Sequence, residues 1–393
     1  MTKTYPNKFY HEGMQGASQT YDATAGSMIN ILKDCLVNGF GALSPSTLVY
    51  DAETGWAKAS IPLGHSYQVD SILDVSDSDV SDYNGEHRVM QVTNNDVWFE
   101  LDTVPVADSS GTVVIKIAPL GWELTHSNND GDVCIFKPAG DLGKVSLRVD
   151  NTAFSGWYGS NYKAALMKVT MVENVTDIDN YDTIYEHRWP AGSYGSDRKW
   201  DLTGDNRMIY FAPEYGMGKE QSLFCAGYID SIRPADEYHF VMNRLKSTVA
   251  DSNENRFNGA SSSYEYYTQL IRNNDYTGRV LARPYHQIEG TTNWYHLGLS
   301  TYSSDSIAMP NPVDNGFYIN NQPAMVMESG SYLRGYLPIM VFPLANHSTY
   351  SRKNLQNLPE FPGKIFRMLR ATYDDRSDYS AALIGFDIST VEV

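Results

Sequence analysis

In one stretch of this chain, Gly26 to Gly41, apolar residues fall at helical spacing. Met28, Ile31, Leu32, Cys35 and Leu36 recur there every three or four positions, which places them on one face of a helix. Ser27 stands where its hydroxyl would accept from the free amides of the first turn, and Gly39 where a left-handed residue would end the helix. The pattern predicts a helix from Ser27 to Asn38, short enough to depend on docking against a sheet. Residues 1–25 before it show no packed pattern and read as an arm that orders against a neighbouring molecule.

Elsewhere apolar and polar positions alternate in short runs bounded by Gly, Asn, Asp and Ser, the pattern of strands and turns. Runs at 56–61, 88–93, 97–101 and 112–117 predict a small antiparallel barrel or sandwich, with turns at Asn84-Gly85, Asn94-Asn95 and Ser110-Gly111. Pro119 to Trp122 reads as the hinge out of it. Further runs lie at 133–136, 144–149, 165–172, 208–212, 223–229, 238–242, 280–284, 294–299, 317–319, 333–341, 364–369 and 381–386, and 247–263 reads as a long exposed loop. The expected fold is mainly β: a short N-terminal helix, a small β barrel or sandwich module, and a larger antiparallel sandwich-like body. The units are 1–45, arm and helix; 46–118, module; and 119–393, body.

Composition sharpens this picture in four ways. Tyrosine is abundant, with 28 residues set among Ser, Thr, Asn, Asp and Gly, which suits half-buried strands and contact surfaces. A formal net charge of −17 argues against a surface that tracks phosphates, since nucleic-acid binding relies on Lys and Arg. Nowhere do about 18 apolar residues run together, so insertion into a membrane is not expected, and the first residues lack the apolar core of a leader. Cys35, Cys134 and Cys225 show no paired spacing and read as free thiols.

Few residues group in a way that carries chemistry. The nine histidines are scattered without metal-ligand spacing, and His239 sits in an alternating strand out of phase with its apolar neighbours, facing solvent or another subunit. Asp70, Asp74, Asp77, Asp79 and Asp82 offer oxygens to a hard cation, but not at EF-hand spacing, and they read as a solvated loop. Asp201 and Asp205 could be paired carboxylates of a glycosidase, but Asp is also a turn residue, and the pair reads as structural. No nucleophile elbow or phosphate loop is present, so no catalytic residue, metal or cofactor is assigned.

Segments in order along the chain resemble a family of tailed-bacteriophage virion proteins. They are Phe9-Tyr10-His11-Glu12-Gly13-Met14 with the helix and Gly41; Lys199-Trp-Asp-Leu-Thr-Gly-Asp-Asn-Arg207 leading into Met-Ile-Tyr-Phe; Leu333-Arg-Gly-Tyr-Leu-Pro338; and Phe361-Pro-Gly-Lys-Ile-Phe366. Gly64-His65 with Asn84-Gly85-Glu86 resembles a small β module of phage tail and fibre proteins. Ser76 to Asp82 and Asn253 to Tyr267 fit nothing in the family. The resemblance implies a non-enzymatic structural protein of the tail, baseplate or neck, made and assembled in the host cytoplasm. Its partners would be identical copies and other phage tail, neck or head proteins. A capsid decoration protein, or a receptor-binding or glycan-degrading tail protein that meets host surface glycan, is the alternative.

The expected interface residues are Tyr5, Phe9, Tyr10 and His11 in the arm, Trp157 and Tyr158, and Tyr264, Tyr266 and Tyr267. Such aromatic clusters suit stacking on sugars or burial between subunits, and the subunit reading is preferred. A thiol titration under denaturing conditions is expected to find three free sulfurs. A disulfide, or stoichiometric zinc on elemental analysis, would overturn the reading of the cysteines.

Overall fold

A computed structural model describes residues 3–18, 24–140, 142–153, 166–191, 199–214, 221–243, 277–283, 290–295, 310–320, 323–328, 332–344, 348–372 and 381–392. The chain is mainly β, as the alternation predicts; among the described residues there are one short α-helix and several sheets whose strands pair antiparallel in all but one case. Among the described residues no barrel closes, so of the two forms expected for the module the closed barrel is not found.

The helical stretch runs as α-helix from Ser27 to Lys33 and then widens into a π-turn from Asp34 to Asn38. The Gly39 amide closes that turn on the Asp34 carbonyl at 2.9 Å, and Gly39 takes the positive φ of 68° that its position requires. All five residues of the expected stripe are buried, and Ile29 with them, so the apolar face is broader than the spacing indicates. The N-terminus departs from expectation. Gly26 is the cap residue, the Ser27 hydroxyl is buried without a hydrogen-bond partner among the described residues, and the side chain of Asn151 accepts the Met28 amide at 3.1 Å. A residue far along the chain therefore does the work assigned to Ser27.

The segment 119–122 is not a hinge. The π-turn leaves carbonyls that an α-helix would engage: Leu120 N–H donates to Cys35 O at 2.8 Å, and the amides of Gly121 and Trp122 donate to Leu36 O at 2.9 and 2.8 Å. The Trp122 indole donates to Asp205 O at 2.9 Å, which ties the segment to the body as well.

Four larger sheets follow. The seven-stranded one takes the order Phe40–Leu43, Val114–Ile117, Ile72–Ser76, Gly85–Val92, Asp96–Phe99, Trp56–Ser60, Thr47–Asp51. Asn94-Asn95 turns as predicted. Asn84-Gly85 does not: a 3-10 turn at Ser81–Tyr83 lengthens the connection, and Gly85 already opens a strand. The next five strands, from Glu123–Ser127 to Asp182–Pro190, form a meander in chain order. A six-stranded sheet is built around Ile365–Thr372 and Ala381–Asp387.

The ten-stranded sheet begins at Asp230–Ser231 and ends Phe224–Tyr228, Met208–Pro213, Trp200–Gly204, Lys8–His11. Its last strand is the supposed arm, and this is the main correction to the sequence reading. Lys8–His11 pairs antiparallel with Trp200–Gly204, and Lys3–Thr4 pairs with Val391–Glu392 at the other end of the chain. Tyr5, Phe9, Tyr10 and Met14 are buried in the chain's own core. Strands of two and four residues that include Lys and His carry too little periodicity to be read as core strands.

Deleting residues 1–14 is therefore expected to lower the urea midpoint of unfolding sharply or abolish the cooperative transition. An unchanged midpoint by circular dichroism would return the first residues to the role of a loose arm.

Candidate functional site: a buried charge network beneath the N-terminal strand

The N-terminal strand is fastened along its length by polar side chains that the sheet brings into register. Lys8 Nζ donates to Pro119 O at 2.8 Å and to Glu86 Oε1 at 2.9 Å. Tyr10 Oη donates to Ala118 O at 2.8 Å. Lys8 and Tyr10 thus bridge the ten-stranded sheet to the chain leaving the seven-stranded one.

At the strand's end the bonds become ionic. His11 stands directly opposite Asp201 in the antiparallel register. Asp201 is buried, and two arginines from the C-terminal part of the chain meet it: Arg367 Nη2 donates to Oδ1 at 2.6 Å, and Arg352 Nε lies 2.7 Å from Oδ2. Gln221 Nε2 donates to the same Oδ2 at 2.9 Å. Arg352 also donates in bidentate fashion to Glu12, at 2.9 and 2.6 Å, and the Trp200 amide donates to Glu12 Oε2 at 3.2 Å. The Arg367 guanidinium stacks over the Phe9 ring at 4.8 Å.

Local geometry explains the fit. Arg352 is held in the left-handed region at φ 61°, uncommon for a residue with a side chain, and its amide donates to Met368 O at 2.7 Å. Burial alone would lower the Arg352 pKa, but Asp201 and Glu12 raise it above its ordinary value. The two carboxylates and two guanidiniums balance, as burial of charge requires.

A second network lies on the far side of the same sheet order. Arg334 is fully buried and clasps Asp236 with two bonds of 2.8 and 2.9 Å, while donating to the carbonyls of Arg283 and Tyr238 at 2.6 Å each. Burial pushes the Asp236 carboxyl up, but the Arg334 bonds and charge hold it below the usual carboxylate range. Gly335 next to it has no room for a side chain: a Cβ there would lie 2.3 Å from Asp230 O. The Arg-Gly-Tyr segment is thus a strand-pairing device.

The other candidates are dispersed. Asp205 caps its own turn, accepting the amides of Arg207 and Met208 at 2.8 and 2.7 Å, and pairs with Arg207. It shares no site with Asp201. Asp70 is buried and bound by Asn354 at 3.0 Å; Asp74 pairs with Lys116; Asp79 accepts from Ser109, Ser110 and Gly111; Asp82 accepts from Thr103. The expected solvated loop is thus split among separate partners. Among the described residues no group of three His, Cys, Asp or Glu is placed to hold a metal ion.

His239 is half-buried: it lies over Tyr228 with ring centroids 4.6 Å apart, bonded to Asp236 O. Tyr5, Phe9 and Tyr10 are buried, and His11 is half-buried, so these four contact their own chain. Trp157, Tyr158, Tyr264, Tyr266 and Tyr267 lie outside the described residues, as does the 247–263 loop. All three cysteines are free and buried, and burial pushes the thiols of Cys35 and Cys225 up. Sequence reading missed Arg352, Arg367 and Asp236, since single charged residues in separate segments carry no spacing signal.

No family model and no curated protein matches the chain. Among solved structures it is similar to one titled Phage phi92 endosialidase, at 9% identity and a TM-score of 0.18, over 90% of this chain and 52% of that one. The chain thus spans about half the length of that protein.

Replacing Asp201 with Asn is expected to destabilise the fold by about 3–5 kcal/mol, the cost of leaving buried cations without their counter-charge. Glu12→Gln, at a pair whose side chains stay 23% and 21% exposed, should cost less. Equal urea midpoints for the two variants would show that the network does not hold the sheets.

Proposed function

We propose that the chain is a non-enzymatic structural component of a tailed-bacteriophage virion, assembled in multiple copies on the tail, baseplate or neck. One observation carries this reading. The segments that resemble virion proteins meet in the fold and hold one another: Glu12 and His11 of the first, Trp200 and Asp201 of the second. Arg334 of the third and the Phe361–Phe366 ring pair of the fourth, 5.4 Å apart, likewise serve packing. Their charged groups are engaged between strands.

The partners are identical copies and other phage tail, neck or head proteins. With the first aromatic residues occupied internally, Trp157, Tyr158, Tyr264, Tyr266 and Tyr267 remain the proposed contact residues. None of the described helices is long and apolar enough to cross a membrane, and the net charge of −17 does not favour nucleic acid as a partner.

Immunogold labelling of virions with an antibody to the purified protein, followed by a reconstruction, tests the placement. Label on the tail, baseplate or neck is expected. Label over the capsid lattice would make the chain a head decoration protein, and release of oligosaccharides from host surface polysaccharide by the purified protein would overturn the non-enzymatic reading.

A further inference from the structure

The end of the N-terminal strand carries a closed ring of hydrogen bonds. Gly13 N–H donates to His11 Nδ1 at 3.1 Å, His11 Nε2 lies 2.9 Å from Gln68 Oε1, and Gln68 Nε2 donates to Gly13 O at 3.1 Å. Because Nδ1 accepts, the proton of the neutral ring sits on Nε2 and donates to Gln68. The Gly13 turn packs on the imidazole closely enough that a Cβ there would lie 3.2 Å from two ring atoms. Both ring nitrogens are thus engaged, and the ring works only while it is neutral.

The surroundings reinforce that requirement. Facing His11 are Asp201 on the paired strand and Arg352 and Arg367 from the C-terminal part of the chain, with Glu12 beside it and Phe9 stacked at 6.3 Å. Asp201 favours a charged ring, but it already pairs with both arginines, and Glu12 pairs with Arg352. The four charges sum to zero, so one more proton leaves the buried site with an uncompensated positive charge. It would also put a hydrogen on Nδ1, facing the Gly13 N–H it must accept.

We propose that His11 is a proton-operated catch for the N-terminal strand: neutral, it locks the turn that ends Lys8–His11; on taking up a proton it releases that strand from Trp200–Gly204. Burial, the largest cause, and then the two arginines lower its pKa, against Asp201 and the Gln68 bond. A histidine depressed in this way stabilises the docked strand fully above the ordinary value of about 6.5, and that contribution is lost as pH falls from there through the lowered value of the folded state. The inference concerns a conformational device and stands independently of the virion role.

Hydrogen exchange of the full chain between pH 7.5 and 5.0, corrected for intrinsic rates, tests it. The Lys8–His11 and Trp200–Gly204 amides should lose protection by up to about tenfold for each unit of pKa depression, while the Met208–Pro213 strand changes far less. In His11→Gln, which cannot titrate, this difference should vanish. Its persistence in that variant, or equal loss in both regions of the wild type, would overturn the proposal. If the variant does not fold, nitrogen-15 NMR of the wild type decides: a proton on Nδ1, or a His11 midpoint at or above about 6.5, sinks the idea.

Discussion

The pairing of Asp201 with Arg352 and Arg367 is the interaction on which the arrangement of this protein turns. Asp201 belongs to a strand buried at every position, and an unpaired carboxylate there would be intolerable. Its two arginines come from segments more than 150 residues further along and bring the C-terminal strands onto the ten-stranded sheet. Arg352 then reaches across to Glu12, which fixes where the N-terminal strand stops. Buried pairs add little net stability over apolar residues of the same shape, but they punish a wrong partner heavily. Their effect here is to select one register and one docking arrangement among sheets rich in similar short strands.

The two chain ends are joined by the same logic. Arg88, buried in the seven-stranded sheet, donates to Ile388 O at 2.6 Å and to Asp70 O at 3.1 Å, and stacks on Tyr5. Asn7 donates to Asp387 O at 2.9 Å. The N-terminal segment thus lies between module and C-terminus, its polar side chains bonded to backbone carbonyls of both. Such bonds satisfy carbonyls that no ladder reaches.

The helix shows how tertiary partners replace local signals. Asn151 supplies the cap that Ser27 does not, and the amides of Leu120 to Trp122 occupy carbonyls that the π-turn turns outward. Asp34, in that turn, has its carboxyl raised to about 6 by burial. The widened turn thus carries some cost, and the linker bonded to it is pinned where a hinge was expected.

Much of the architecture was legible without coordinates because it depends on near neighbours. The helix stripe follows from 3.6-residue periodicity, and strands such as Trp56–Ser60, Val133–Lys137 and Met208–Pro213 follow from alternating or continuous apolar runs. Trp200–Gly204 and Lys8–His11 were not legible as core strands, since Asp, Thr, Lys and His interrupt them. Lys8 and Asp201 are buried only because distant partners neutralise them, and no local pattern encodes a partner. What the sequence by itself determined is the class: short strands, one docked helix, unpaired thiols, and the absence of any spaced catalytic motif. The tertiary structure alone decided that the first residues close a sheet, that Asp201 and Asp205 serve separate tasks, and that Arg352 and Arg367 belong together. Period and turn chemistry act over a few residues, whereas charge compensation in a buried site is settled only when segments far apart in the chain meet.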